Sequence, residues 1–461
     1  MPGGSLVEVQ AIALGARRPR SRRSILKSRV ASALCVVPAL YCGGCLLFAL
    51  WNASTYAAAW PQFLRYVAAP GLLFALFMGV ALFGSRVGRV TLGGMGIALL
   101  LGMFAFEARM EGRYAAALEE LADVPSALWM TQEGVAQGLP PARTPRRLND
   151  DMRVARLQDA TLSGVPDARV MLCSRGDQAV VYRADRYGFR NPDAIHDAPV
   201  DRMLLGDSFV EGICLPDAQD LVGRARALRP ATVGLGIRGA GPLFELAMLG
   251  RFGPVIRPKW TVIVFYEGND WENLEHELRF GWLDDALDKH PRFGPAIMPA
   301  AQRAGIERML ATWDAGGPVE ATLELRKSNL LRNTLALHQT WTQLGLGYPK
   351  VAPTMPVYGD ILARTRAIAA GWGGRVALMY VPQTSRLIGL FPDGFVYDEI
   401  RDQVTAAAAR NGIPMIDLSP AFAADPHRLS LYGHDGHFSE RGAALAASVL
   451  DRALNAEDRS K

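Results

Sequence analysis

Ser208 lies in the run Leu204-Leu205-Gly206-Asp207-Ser208-Phe209-Val210-Glu211-Gly212. Two apolar residues there can end a short strand, glycine permits a tight turn, and a hydroxyl follows where the chain would leave the sheet. In an open parallel sheet such a position faces the ligand crevice, and the amide of a residue starting the next segment points at whatever its hydroxyl attacks. The chemistry on offer is nucleophilic attack by Ser208, set against the plainer reading of a strand-to-helix turn.

Three later stretches bear on that choice. Gly234-Leu235-Gly236-Ile237-Arg238-Gly239-Ala240-Gly241-Pro242 has glycines that let backbone approach a ligand and expose amides, with a helix beginning near Pro242. Glu267-Gly268-Asn269-Asp270 offers an asparagine whose side-chain amide can meet a developing oxyanion. His434-Asp435-Gly436-His437-Phe438-Ser439-Glu440-Arg441-Gly442 precedes an amphipathic stretch that Ser439 can cap. Asp435 and His437 are two apart, so in extended backbone both side chains point the same way and the carboxylate can orient the ring. His434 is the alternative partner. The cluster contains neither His-Glu-x-x-His nor a cysteine–histidine ligand set, so metal ligation is set aside and no cofactor is expected.

These four stretches need strand ends to present them. Met203–Leu205, Thr232–Leu235, Thr261–Tyr266, Val376–Val381 and Pro414–Leu418 are apolar runs of strand length, separated by stretches of helical periodicity such as Leu243–Leu249 and Ile361–Ala370. That alternation builds a parallel α/β sheet. Ala168–Cys173 and Ala179–Tyr182 predict two short strands ahead of it. The polar turn Asp185-Arg186-Tyr187-Gly188-Phe189-Arg190-Asn191-Pro192 follows, and Arg190 is expected to pin it. The globular domain is predicted over 154–461, with an insertion over 272–353 carrying helices at Ala300–Trp313 and Val319–Gln343. An insertion at a strand's C-terminal end is a place for substrate specificity.

Upstream, Val30–Trp51, Val67–Gly84 and Val90–Ala108 are nearly uncharged apolar runs, each close to the roughly 20 residues that span a bilayer as a helix. A three-helix membrane domain is therefore predicted over 30–108, then a continuing helix over Glu107–Glu120 and a proline-containing linker at Gly138–Arg147, the whole connection occupying 109–153. Arg17, Arg18, Arg20, Arg22, Arg23, Lys27 and Arg29 precede the first run, and Arg86 and Arg89 lie between the second and third. By the positive-inside rule the basic tail, 1–29, is cytoplasmic and everything after Ala108 lies outside. Ser21-Arg22-Arg23-Ser24-Ile25-Leu26-Lys27 also looks like a twin-arginine export signal, but two further spans favour an uncleaved anchor.

The formal net charge is +5, of which residues 1–29 supply seven positive side chains and one negative, leaving the remainder at −1. A nucleic-acid partner is therefore not expected. Cys35, Cys42 and Cys45 fall in the first apolar run, where small packing residues are the better reading than a redox motif. Cys173 and Cys214 fall in the exported part, and two thiols in an oxidising compartment invite a disulfide.

In the order serine, glycine, asparagine, aspartate–histidine, the four blocks resemble the SGNH (GDSL-type) hydrolase family, over roughly Arg202 to the C-terminus. Gly188-Phe189-Arg190-Asn191 resembles its membrane-attached bacterial members. The resemblance implies a three-layer, flavodoxin-like α/β fold behind the membrane helices, with Ser208 as nucleophile, His437 as base, and an oxyanion hole made by the Ser208 amide, the Gly239 amide and the Asn269 side chain. Many members place the aspartate three residues before the histidine. The two-residue spacing to Asp435 is similar to the branch that acetylates or deacetylates bacterial polysaccharides. The function implied is a serine esterase of the inner membrane whose periplasmic domain acts on O-acetyl groups of envelope or extracellular glycans. Alternatives are an O-acetyltransferase working with a membrane acyl-donor partner and a non-catalytic glycan-binding module.

Overall fold

The structure is a computed structural model; it describes residues 22–122, 145–175, 178–311, 334, 336–337, 340, 347–348, 352–387, 394–433 and 436–459. The chain divides into two compact units, Met1–Phe106 and Glu107–Lys461.

In the first unit, helices α1 (Arg22–Trp51), α2 (Trp60–Phe83) and α3 (Arg86–Ala122, which runs on into the second unit) include three segments long and apolar enough to cross a membrane. They lie at Leu26–Trp51, Trp60–Phe83 and Arg86–Arg113; the first ends at Trp51 as predicted, and the other ends differ from the predicted runs by between one and seven residues. The second is longer than its apolar core because helical backbone continues through Phe63–Ala68 as a π-helical segment. Small residues let the helices touch: a Cβ on Gly93 would sit 2.7 Å from the Leu34 carbonyl carbon. Arg89 closes the turn between α2 and α3, its guanidinium donating to the carbonyls of Val80 (3.3 Å), which also accepts from the Gly84 amide, and Leu82 (3.1 Å) in the last turn of α2.

In the second unit, β1 (Arg169–Arg175) and β2 (Gln178–Arg183) form an antiparallel hairpin. The sheet follows as β3 (Arg202–Gly206), α4 (Ser208–Glu211), α5 (Leu221–Leu228), β4 (Thr232–Gly236), α6 (Pro242–Ile256), β5 (Trp260–Tyr266), α7 (Asp270–Glu277), α8 (Ala300–Ala311), α9 (Val357–Ala370), β6 (Arg375–Val381), α10 (Asp398–Arg410), β7 (Met415–Asp417) and α11 (Glu440–Arg459). The strands lie in the order β4-β3-β5-β6-β7 and every pair is parallel. Alternate residues face opposite layers. Met203, Leu205, Ile263, Phe265, Leu378 and Tyr380 pack against α6, α9 and α10, while Leu204, Val262, Val264, Ala377 and Met379 pack against α5 and α11. This three-layer α/β arrangement matches the predicted fold class. The last strand is shorter than predicted, because Pro414 and Leu418 flank only three laddered residues.

Two boundaries differ from expectation. Packed structure begins before residue 154: Leu148 is buried with Val165 and Ile306, and the Asn149 side chain exchanges hydrogen bonds with the Thr161 backbone at 2.9 and 2.7 Å. The insertion is in part core, since Leu274, Trp282, Leu283 and Ala286 join the main apolar cluster. Its first predicted helix is present over Ala300–Ala311, and the rest of it and most of the second lie outside the described residues.

The end of β4 and the helix after β3 are in direct backbone contact. A Cβ at Gly236 would lie 2.1 Å from the Glu211 amide nitrogen and 2.4 Å from the Val210 carbonyl carbon, so only glycine fits without moving backbone. Gly236→Ala is expected to destabilise by about 1–3 kcal/mol or more, lowering Tm, whereas Gly281→Ala, with nothing within 4 Å, should leave Tm close to wild type in the same thermal melt.

Candidate active site

The junction after β3 is built by Asp207. Its carboxylate caps the one-turn helix α4, accepting from the Phe209 amide at 2.9 Å, and the helix ends at Gly212 in the left-handed region (φ +76°). Ser208 is thereby set at the first helical position, where its own amide has no intrahelical acceptor. The Ser208 hydroxyl lies 2.9 Å from His437 Nε2 and 3.3 Å from Asp207 Oδ2. His437 arrives on a turn in which Gly436 has φ +81° and the Gly433 amide donates to the His437 carbonyl at 2.8 Å. Phe209 backs the imidazole, with ring centroids 5.3 Å apart, and itself packs on Tyr266 and Phe438. Ser439 then caps α11, accepting from the Gly442 amide at 3.1 Å.

Asn269, at the end of β5, donates from Nδ2 to Asp207 Oδ2 at 3.1 Å. One carboxylate thus touches both the serine and the asparagine. Gly239 follows β4 with φ +74°, a conformation that favours glycine. The Ile237 amide donates to the Gly206 carbonyl at 3.2 Å, which brings this loop beside the serine junction, and the Ala240 amide closes the turn onto Ile237 at 3.0 Å. The Ser208 and Gly239 amides donate to no acceptor among the described residues.

Ser208, His437 and Asn269 therefore converge on one corner, with the Gly239 loop fastened beside it. Asp435 and its rival His434 lie outside the described residues, as does the Cys173 side chain. Other residues do structural work that the sequence did not single out. The Glu277 carboxylate, from the insertion, accepts from the amides of Gly241 (2.6 Å), Leu243 (3.0 Å) and Phe244 (3.3 Å). The N-terminus of α6 is thus occupied by the protein's own anion and is not the ligand site its glycines suggested. Arg190 pins more than its own turn: it donates to the carbonyls of Glu211 (3.1 Å), Gly212 (2.8 Å) and Leu215 (2.6 Å) and to Asp217 (2.7 Å). Asn191 pairs both its amide atoms with the Gly234 backbone at 2.9 Å, covering the outer edge of β4. Among the described residues no group of three or more histidine, cysteine, aspartate or glutamate side chains could hold a metal ion.

A family model described as GDSL-like lipase/acylhydrolase matches residues 204–445. No curated protein matches the chain. Solved structures similar to it include a lipase/acylhydrolase from Enterococcus faecalis (15% identity, 56% of this chain and 96% of that one, TM-score 0.31). Others are a GDSL-like lipase from Bacteroides thetaiotaomicron (11%, 56% and 88%, 0.31) and a lipolytic G-D-S-L protein from Veillonella parvula (14%, 56% and 98%, 0.30).

Three buried acids lie under the site. Burial pushes Asp207 above the ordinary carboxylate range, against the bonds from Phe209 and Asn269. It pushes Glu245 on α6 and Asp270 on α7 well above it, and each is raised further by neighbouring carboxylates, Asp207 foremost. Asp270 accepts from the Tyr266 amide at 2.7 Å, but Asp270 Oδ1, Glu245 Oε1 and the Tyr358 hydroxyl find no hydrogen-bond partner among the described residues. A carboxyl raised in the folded state keeps its proton where the unfolded chain has lost it. Its contribution to stability is therefore full below the unfolded value and is lost as pH rises through the folded one. Glu245→Gln is expected to match wild type in Tm near pH 4 and to exceed it increasingly towards pH 8, by about 2–4 °C for each kcal/mol relieved. Thermal melts across that range check the slope; a constant difference between variant and wild type would exclude titration of Glu245.

Proposed function

This chain belongs to the GDSL-like lipase/acylhydrolase family and is an ester hydrolase, and from that premise we propose that it removes O-acetyl groups from glycans of the bacterial envelope, anchored in the inner membrane with its second unit in the periplasm. The observation that carries the catalytic assignment is the 2.9 Å approach of His437 Nε2 to Ser208 Oγ. Ser208 attacks the ester carbonyl while His437 takes its proton. The oxyanion is met by the Ser208 and Gly239 amides and by the Nδ2 hydrogen that Asn269 does not give to Asp207. Collapse releases the sugar hydroxyl, protonated by His437, and leaves an acetyl-serine. Water, deprotonated by His437, then frees acetate and restores Ser208. Asp435 is assigned to hold the imidazole tautomer.

Two features support a hydroxylated substrate. One is the Asp435-x-His437 spacing. The other is a cavity of about 160 Å³ beginning one residue from Asn269, where Glu272 and Glu275 stand beside Trp271, Pro353, Val396, Tyr397 and Ile400, a mixture of carboxylates and aromatic rings that suits a sugar. With a second sugar hydroxyl in place of water, the same acetyl-serine would make the chain an O-acetyltransferase served by a membrane acyl donor. In the full-length protein, a serine-directed phosphonate should label Ser208 alone, and Ser208→Ala should abolish labelling and acetyl-ester hydrolysis. Asn269→Ala should lower turnover by roughly 10²–10³ and His437→Ala by at least as much. Normal turnover in Ser208→Ala would overturn the assignment, and faster cleavage of long-chain esters than of acetylated glycan would overturn the substrate.

The basic residues up to Arg29, and Arg86 and Arg89 at the start of α3, support a cytoplasmic N-terminus. Cys214 packs against Val170, Leu172 and Tyr182 of the β1–β2 hairpin with φ +57°. A Cys173–Cys214 bridge would tie that hairpin to the loop after Ser208. Reporter fusions after Ala108 should be active only outside the cytoplasm, and fusions between Gly84 and Val90 only inside. In the unfolded chain, Cys173 and Cys214 should take a thiol label only after reduction; labelling beforehand rules out the bridge.

A further inference from the structure

Glu211 closes the nucleophile helix and Arg238 immediately precedes Gly239, yet neither side chain reaches the crevice chemistry. They meet each other. Their side chains are only 4% and 9% exposed. Arg238 donates from Nε to Glu211 Oε2 (3.0 Å) and from Nη2 to Oε1 (3.0 Å), a two-pronged contact of the kind that fixes direction as well as distance. The Arg238 backbone amide adds a third bond to Oε2 at 2.8 Å, and Nη1 reaches the Leu172 carbonyl of β1 at 3.2 Å. One carboxylate on the serine's helix therefore holds both the side chain and the main chain of the residue before Gly239. The neighbouring Ile237 amide is anchored to Gly206 on the other side of Ser208.

We propose that Glu211 and Arg238 are positioning residues, a buried clamp that sets the Gly239 amide at a fixed distance from Ser208 so that it meets the oxyanion. This rests on the assignment of Gly239 and Asn269 as oxyanion donors. The amide that the pair positions counts most when negative charge develops, so loss of the pair falls on kcat and spares KM. Removing one partner strands a buried charge and endangers folding, so the decisive variant is the neutral double Glu211→Gln/Arg238→Met, studied beside Glu211→Gln alone in the full-length protein.

The readout is hydrolysis of an acetyl ester and of the matching thionoester, whose sulfur anion accepts hydrogen bonds weakly, so that an intact oxyanion hole gives a large oxygen-to-sulfur rate ratio. Both variants are expected to lose roughly 10-fold or more in kcat, with KM changed by less than about 2-fold, and to show a ratio several-fold lower than wild type. Asn269→Ala should lower the ratio as well, and Arg303→Ala, in an exposed ion pair with Glu307 on α8, should not. If Asn269→Ala lowers the ratio while folded pair variants keep the wild-type ratio and kcat, the clamp is overturned and the oxyanion assignment stands. If neither moves the ratio, the oxyanion assignment fails and takes the clamp with it.

Discussion

A fully buried carboxylate with several claimants is the constraint on which this site depends. Asp207 caps α4, receives the Ser208 hydroxyl and holds Asn269, all through two oxygens. Burial opposes its charge and the donated bonds support it. The balance makes Asp207 a joint between the ends of β3 and β5, because no single bond can shift without disturbing the others. A serine at a strand end is common; a serine and an asparagine referred to one shared anion form a defined geometry.

Around that joint the protein satisfies exposed main-chain groups with side chains from distant segments. Arg190 gathers the carbonyls beyond α4, Glu277 gathers the amides at the start of α6, and Asn191 finishes the edge of β4. At the same C-terminal end of β5 and β6, Glu267 is held by Arg386 in a fork of 2.6 and 3.0 Å and accepts from the Gln383 amide at 2.7 Å. Loops at the rim of a parallel sheet have no ladder to pair with, so their order must come from such contacts. The insertion after β5 is consequently part of the scaffold, since Glu277 and Trp282 belong to it.

The sheet was legible because its strands are apolar on both faces and read as short continuous runs, as at Met203–Leu205 and Val376–Val381. Glycine, asparagine and histidine at strand ends were legible because their chemistry is local. What could not be seen were side chains acting across the chain: the bond from Asn269 to Asp207 spans 62 residues, and that from Arg238 to Leu172 spans 66. Leu148 was missed for a related reason. It is a lone apolar residue among arginines, with no periodicity to announce that Ile306 and Val165 cover it.

The separation of Ser208 from His437, 229 residues along the chain, sets an order of events during synthesis. β3, β4 and β5 are neighbours in sequence as well as in the sheet, so a nascent chain can complete the serine's surroundings while β6, β7 and α11 are still unmade. Such a chain holds a hydroxyl with no imidazole beside it. With Ser208 and His437 in the roles proposed for them, the hydroxyl gains its proton acceptor only when the segment carrying His437 docks, so the chain is silent until that segment has been made and packed.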